Sequence, residues 1–254
     1  MYARAQSRDQ SWRTLQPGLA TTELTMRVGR MRLPMRIIVA RIDVKQFDVS
    51  LDARVKENKM TGAWNIDSVA NDVVVAFNAG QFKETGPWGW LVMDGKELRS
   101  PGFGPLSIAI AIDTANSITW HSPNRLIARS PTRFGFQSYP LLIREGRIAQ
   151  LLLTSDDVDR GHRDSRLILG EAGDGSLLVA LSRYDGLGGV AERVPIGLTV
   201  MESTRIMQRL GARYAVMLDG GLSAQLLLRD SAGIAQKWRG LREVPLALVF
   251  RRKP

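Results

Sequence analysis

From Arg36 the chain alternates between apolar and polar positions. Ile38, Ala40, Ile42 and Val44 take one face, and Phe47, Val49 and Leu51 resume the alternation one residue out of phase after Gln46. Period-two alternation marks a half-buried strand, so the slip predicts two strands joined by a tight turn, or one bulged strand. Two other runs are almost wholly apolar, Val73 to Phe77 and Tyr214 to Leu218, as in strands buried on both faces. Each stops at a polar residue followed by glycine: Asn78-Ala79-Gly80 and Asp219-Gly220-Gly221.

Turn residues divide the rest of the chain. Met93-Asp94-Gly95-Lys96, Arg144-Glu145-Gly146-Arg147 and Asp174-Gly175 predict hairpins, and Ser107 to Ile112 pairs with Ser117 to Trp120 around 113–116. Trp12 to Leu19 reads as a lead-in loop and turn, and Val244 to Phe250 as a closing strand. Asn65 to Asn71 predicts a short helix capped by Asn65. Thr199-Val200-Met201-Glu202 is a capping box opening a helix through Leu210, with Gly211 as its stop. The expectation is an α+β protein: mostly antiparallel sheets with two or three helices in a single domain over residues 12–254, after a polar, disordered extension over residues 1–11.

Composition narrows the function classes. The 254 residues are 44% hydrophobic and 24% charged, enough apolar mass for a sizeable core. There is no cysteine, which excludes disulfides, thiolate metal sites and cysteine nucleophiles. No run reaches the length of a membrane span, and the first residues lack a charged-then-apolar leader pattern. The formal net charge of +10 points to an anionic partner. The basic residues are dispersed, the longest block being Arg251-Arg252-Lys253, which argues against nucleic acid.

The chemistry available is restricted. The two histidines are His121 and His162, and no Gly-x-Ser-x-Gly elbow or zinc-type spacing occurs. Gly186-Leu187-Gly188-Gly189 lacks the Lys-Ser/Thr of a phosphate loop and reads as a flexible connector. A carboxylate at a strand end beside two glycines can meet a ligand together with main-chain N–H groups, although Asp-Gly also fits a plain hairpin turn. What remains is carboxylates, amides, arginine and glycine-exposed backbone. That set suits hydrolysis at an anomeric centre, or recognition of phosphate and sugar hydroxyls. Asp156 to Asp164 is the best candidate for a loop over such a site. Trp88 or Trp90 is a candidate sugar-stacking face.

Asp219-Gly220-Gly221-Leu222-Ser223 resembles the Leu-Asp-Gly-Gly-Gly-Ser signature of the phosphodiester glycosidase family, which includes the lysosomal enzyme that removes N-acetylglucosamine from a phosphodiester on mannose. Other stretches follow in that family's order. Asn78-Ala79-Gly80-Gln81-Phe82 resembles its Asn-Gly-Gly-Tyr/Phe-Phe element, and 137–146 its Pro-x-Leu-x-x-x-Gly segment. Arg166-Leu167-Ile168-Leu169-Gly170 with Asp174-Gly175 is similar to its Arg-Thr-Ala-Ile-Gly…Asp-Gly stretch. Gly197-Leu198-Thr199-Val200-Met201-Glu202 matches its Gly-x-Thr-x-x-Glu helix start. Met217 stands where the family usually has Asn, Leu222 replaces the third glycine of the signature, Ala79 is the second residue of the Asn-Gly-Gly element, and Leu167 follows the arginine in place of Thr.

The resemblance implies hydrolysis of a sugar-1-phosphodiester, with N-acetylglucosamine-1-phosphodiester as the pattern. It also implies a bacterial envelope or exported setting, periplasmic or extracellular, with the cytoplasm left open. It gives Asp219 as catalytic carboxylate, Arg166 on the phosphate, and Glu202 as the family-matched second carboxyl, with Glu84, Asp94 and Asp164 as other choices. Asn78, Gly80, Gly220, Gly221, Ser223 and His162 would bind substrate, with His162 also a candidate proton donor. No cofactor is certain, and a divalent metal stays open. Met217 and Leu222 favour the alternative, a non-catalytic module binding an anionic glycan.

Overall fold

The computed structural model describes residues 11–53, 55–56, 59–60, 64–126, 132–186 and 194–253. Residues 1–10 of the extension expected over residues 1–11, and residues 187–189 of the expected connector, lie outside the described residues.

Three antiparallel sheets carry the fold. The largest has eight strands, in the order Arg13–Gln16, Leu19–Val28, Leu33–Ile42, Leu177–Tyr184, Leu167–Ala172, Ala212–Met217, Leu141–Arg144 and Arg147–Ile148. A second runs Lys96–Arg99, Leu91–Met93, Thr132–Ser138, Ile108–Asp113, Ile118–His121. The third runs Ala235–Trp238, Leu226–Arg229, Val73–Asn78, Leu246–Arg252, Phe47–Ala53. One buried cluster draws on all three sheets, through Ile38 and Leu169, Phe136, and Phe77 with Leu248.

Helix is scarce: the mostly antiparallel sheets and the small number of helices are as expected, and the balance of the architecture is mostly β. Among the described residues the α-helices are α1, Gln150–Thr154, and α2, Val200–Arg209. Only α2 combines helical spacing with a full N-terminal cap: Thr199 Oγ1 accepts from Glu202 N at 3.2 Å while Glu202 Oε2 accepts from Thr199 N at 3.0 Å. The helix expected over residues 65–71 shrinks to a 3-10 turn, Ile66–Ser68, because Asn65 caps a segment that Val69 re-extends. The lead-in loop is corrected too. Arg13–Gln16 forms a strand, turning on Gly18 at φ +77° with Leu15 and Gln16 buried.

The phase slip at Gln46 has a structural cause. A 3-10 turn, Val44–Gln46, takes the chain out of the first sheet, so Leu33–Ile42 and Phe47–Ala53 lie in different sheets. The three sheets meet where three strands end. Ser138 Oγ, closing a strand of the second sheet, donates to Met217 O at 2.5 Å, at the end of a strand in the first. Asp219 N, two residues on, donates to Gly80 O at 2.9 Å, just past the strand Val73–Asn78 of the third.

Candidate active site

At this junction the backbone around Asp219 is held from three sides. Leu218 N donates to Leu167 O at 2.9 Å, and Asn78 Nδ2 donates to Asp219 O at 2.8 Å. Gly221 N donates to Ser165 O at 2.8 Å. Gly220 is the residue that permits the approach, since a Cβ there would sit 2.5 Å from Ser165 O. Gly221 adopts φ +56°, and a Cβ on it would lie 2.9 Å from Asp164 Oδ2. The two glycines therefore let Asp164 and Asp219 share one wall, as a larger residue at either position could not.

That wall closes a cavity of about 310 Å³ whose lining includes Asp219, Gly220, Asp164, Arg166, His162 and Tyr139. The size suits a small polar ligand. Burial pushes the Asp219 carboxyl above its ordinary value. The Ser223 hydroxyl, Arg242 and the Gly220 N–H pull the other way, while the charge of Asp164 adds to the rise. Burial likewise pushes Asp164 up, opposed by Arg166, the Ser165 N–H and His162. Two carboxyls raised by their surroundings in one cavity, with a guanidinium beside them, is a combination typical of acid–base chemistry.

Arg166 reaches the cavity braced on the backbone. Its Nε donates to Leu198 O at 3.0 Å and its Nη2 to His162 O at 2.7 Å, so two of its five N–H groups are committed and the rest can meet an anion. Burial lowers its pKa, while Asp164 and Asp159 hold it up. His162 is 62% exposed on its side chain, with Nε2 3.9 Å from Asp164 Oδ2. The segment 156–164 supplies Asp157, Val158, Asp159, His162 and Asp164 to the lining, as a loop over the site should. Tyr139, which was missed, donates its hydroxyl to Asp157 O and packs edge-on against Trp88 at 6.3 Å. Trp88 is half-buried beside the cavity, whereas Trp90 is buried with its Nε1 on Glu97.

Other expected residues support the site from behind. Asn78 is fully buried and spends its amide on Asp219 O and, at 3.0 Å, on Gln225 N. Ser223 is buried behind Asp219. The Gly220 and Gly221 amides are engaged by Asp219 and by Ser165 O, and Gly80 offers its carbonyl to Asp219 N. Glu202 is outside the cavity lining. Burial pushes its carboxyl up, but the two bonds from Arg163, at 2.7 and 2.9 Å, and the Thr199 N–H bring it below its ordinary value. Such a carboxylate is ionised, paired and capping a helix. Asp94 sits on an exposed hairpin tip near Arg133, and Glu84 is exposed outside the lining. Among the described residues no cluster of three or more His, Asp or Glu could hold a metal ion.

The model of the phosphodiester glycosidase family matches residues 71–251, a segment containing both strand ends and the whole cavity. The chain belongs to the phosphodiester glycosidase family. No curated protein matches the sequence. Among solved structures, the zebrafish N-acetylglucosamine-1-phosphodiester alpha-N-acetylglucosaminidase catalytic domain, auto-inhibited by its pro-peptide, is 18% identical over 96% of this chain and 87% of that one, with a TM-score of 0.70. A hypothetical protein from Synechocystis is 16% identical with a TM-score of 0.70; this chain matches over 98% of its own length but covers 65% of that protein. A Burkholderia pseudomallei protein described as exported is 14% identical over 87% of this chain and 74% of that one, with a TM-score of 0.58.

Within this member of the family the departures from the family's motifs fall in two kinds of place. Ala79 and Leu167 are buried and pack in the core. Met217 is 2% exposed yet lines the cavity, so it swaps an amide for a thioether at the wall. Leu222 is 41% exposed and projects outside the lining.

Proposed function

We propose that the protein hydrolyses a sugar-1-phosphodiester, with Asp164 and Asp219 as the working pair. The observation that carries this reading is the shared cavity in which both carboxyls are raised beside Arg166. Asp164 ionises first, because Arg166 and His162 favour its charge, and that charge helps keep the proton on Asp219. In the reaction a water oxygen adds to the anomeric carbon and its proton passes to Asp164. The bond from that carbon to the phosphate oxygen breaks, and Asp219 hands its proton to the departing group. A phosphate monoester ionises for the second time near pH 6, so it leaves more readily than an alcohol and asks less of the acid. Arg166 then acts chiefly by neutralising charge on the phosphate, and His162 is placed to hydrogen-bond a phosphate oxygen. Glu202 has no part in this scheme, and Trp88 with Tyr139 offers the sugar an apolar face.

An N-acetylglucosamine-type sugar is supported by the description of the zebrafish neighbour, and an envelope or exported setting by that of the Burkholderia one. Met217 in the cavity wall favours a second reading, an anionic-glycan binder without turnover. A panel of sugar-1-phosphodiesters and matching alkyl glycosides, each with and without a chelator, separates the two. Sugar release from the diesters alone is the expected result, and loss of release with chelator adds a metal. Binding to the diesters with no release across the panel supports the second reading.

A further inference from the structure

The hairpin Leu141–Arg144 to Arg147–Ile148 carries an electrostatic conflict that the fold does not resolve. Its two-residue loop is Glu145 at φ 52° and Gly146 at φ 77°, which sets Arg144 directly opposite Arg147. Side chains so opposed start from Cβ atoms about 4.5–5.5 Å apart, and like charges there are destabilising. Both arginines are exposed, and among the described residues no salt bridge engages either guanidinium, although the Glu145 carboxylate in the loop between them borders the same groove and leaves it a net positive charge. Ser122 Oγ, 3.1 Å from both Nη1 and Nη2, fixes Arg144 in place without neutralising it.

The two arginines border a groove of about 920 Å³, larger than the candidate active site. Its walls include Phe103, 68% exposed, and Leu151, 57% exposed, and Asn124 and Gln150 are also in the lining. Phe103 is not on a loose loop. The buried Gln137 amide accepts from Gly102 N at 2.7 Å and donates to Gly102 O at 3.0 Å, pinning the preceding residue. An aromatic face, amide groups and paired cations together recognise a sugar chain bearing anions. Groove and cavity are linked along the chain, Pro140 lining the cavity and the next residue, Leu141, lining the groove.

The geometry points to a second, non-hydrolytic site in this groove, taking the continuation of a phosphate-bearing oligosaccharide whose terminal sugar occupies the cavity. This inference rests on the proposed hydrolysis for its placement, and the test keeps the two apart. The double variant Arg144→Ser/Arg147→Ser should fold at least as well as the parent, because it removes the repulsion. It should turn over a single sugar-1-phosphodiester as the parent does, while KM for an oligosaccharide carrying several phosphodiester links rises about tenfold per arginine lost. An unchanged ratio of the two substrates overturns the inference. Should neither substrate be cleaved by the parent, the proposed hydrolysis fails and the groove is judged by titration alone. A tenfold or greater loss of affinity for the phosphorylated oligosaccharide in the variant upholds the groove. Equal affinity of parent and variant rejects it, as does equally tight binding of the parent to the phosphate-free sugar or to a random DNA oligonucleotide.

Discussion

An Asp219→Asn variant is expected to lose about 10²–10³-fold in turnover of a sugar-1-phosphodiester while becoming more stable at neutral pH. The two effects share one cause. Burial, reinforced by the charge of Asp164, holds the Asp219 carboxyl above its ordinary value. An acid whose pKa is higher folded than unfolded binds its proton more tightly in the native state. Stability is then present below the unfolded value and is lost as pH rises through the folded one. Asparagine carries no such cost, so its advantage appears above that window and vanishes below it. The same pair gives kcat/KM a bell-shaped pH profile, with an acid limb as Asp164 ionises and an alkaline limb as Asp219 gives up its proton. Each limb lies above the ordinary aspartate value, because both shifts are upward. Steady-state kinetics and thermal melts at neutral and acid pH check this. Full turnover in the variant would remove Asp219 from the chemistry, and a fall in its melting temperature at neutral pH would make the residue structural.

Arg183→Met is expected to destabilise the fold by about 3–5 kcal/mol, roughly 10 °C in melting temperature, and to lower kcat. Arg183 is 2% exposed beneath the cavity. Its Nη1 donates to Ser165 Oγ at 2.7 Å, and its Nη2 to Ala224 O at 2.6 Å and Arg239 O at 3.1 Å. It thus ties the segment bearing Asp164 and Arg166 to the segment following Asp219. Methionine fills similar volume but leaves the buried Ala224 carbonyl and Ser165 hydroxyl without that donor. Arg183→Lys keeps the charge and cannot span all three acceptors, so it should recover part of the stability. A methionine variant as stable as the parent would show that other bonds hold the two segments together.

Arg183 also illustrates what the sequence does not display. It sits in an ordinary strand pattern, Leu181-Ser182-Arg183-Tyr184, and nothing local marks its side chain as buried. The sheets were legible because alternation and turn residues are local signals, and α2 because its cap is written in four consecutive residues. The shrinking of the helix expected over residues 65–71 to a 3-10 turn was not, since a capping residue alone does not say how far the helix runs. Of the site, Asp219, Arg166 and His162 were legible from strand ends and motif order. Asp164 could not be ranked above Glu84, Asp94 or Glu202, because its place depends on a bridge to Leu198 in a distant stretch of chain. The Asn78 side chain and the Gly220 and Gly221 amides read as ligand-binding groups, and the packing spends them on positioning Asp219 instead.

The account places bond cleavage at the anomeric carbon, on the sugar side of the phosphodiester. Turnover in water enriched with oxygen-18 tests that directly, read by mass spectrometry of the released phosphate monoester, whose oxygens do not exchange with solvent under these conditions. The expected result is a phosphate monoester without label and a sugar that has gained one labelled oxygen. Label in the phosphate would mean attack at phosphorus, a phosphodiesterase, and would contradict the roles given to Asp164 and Asp219.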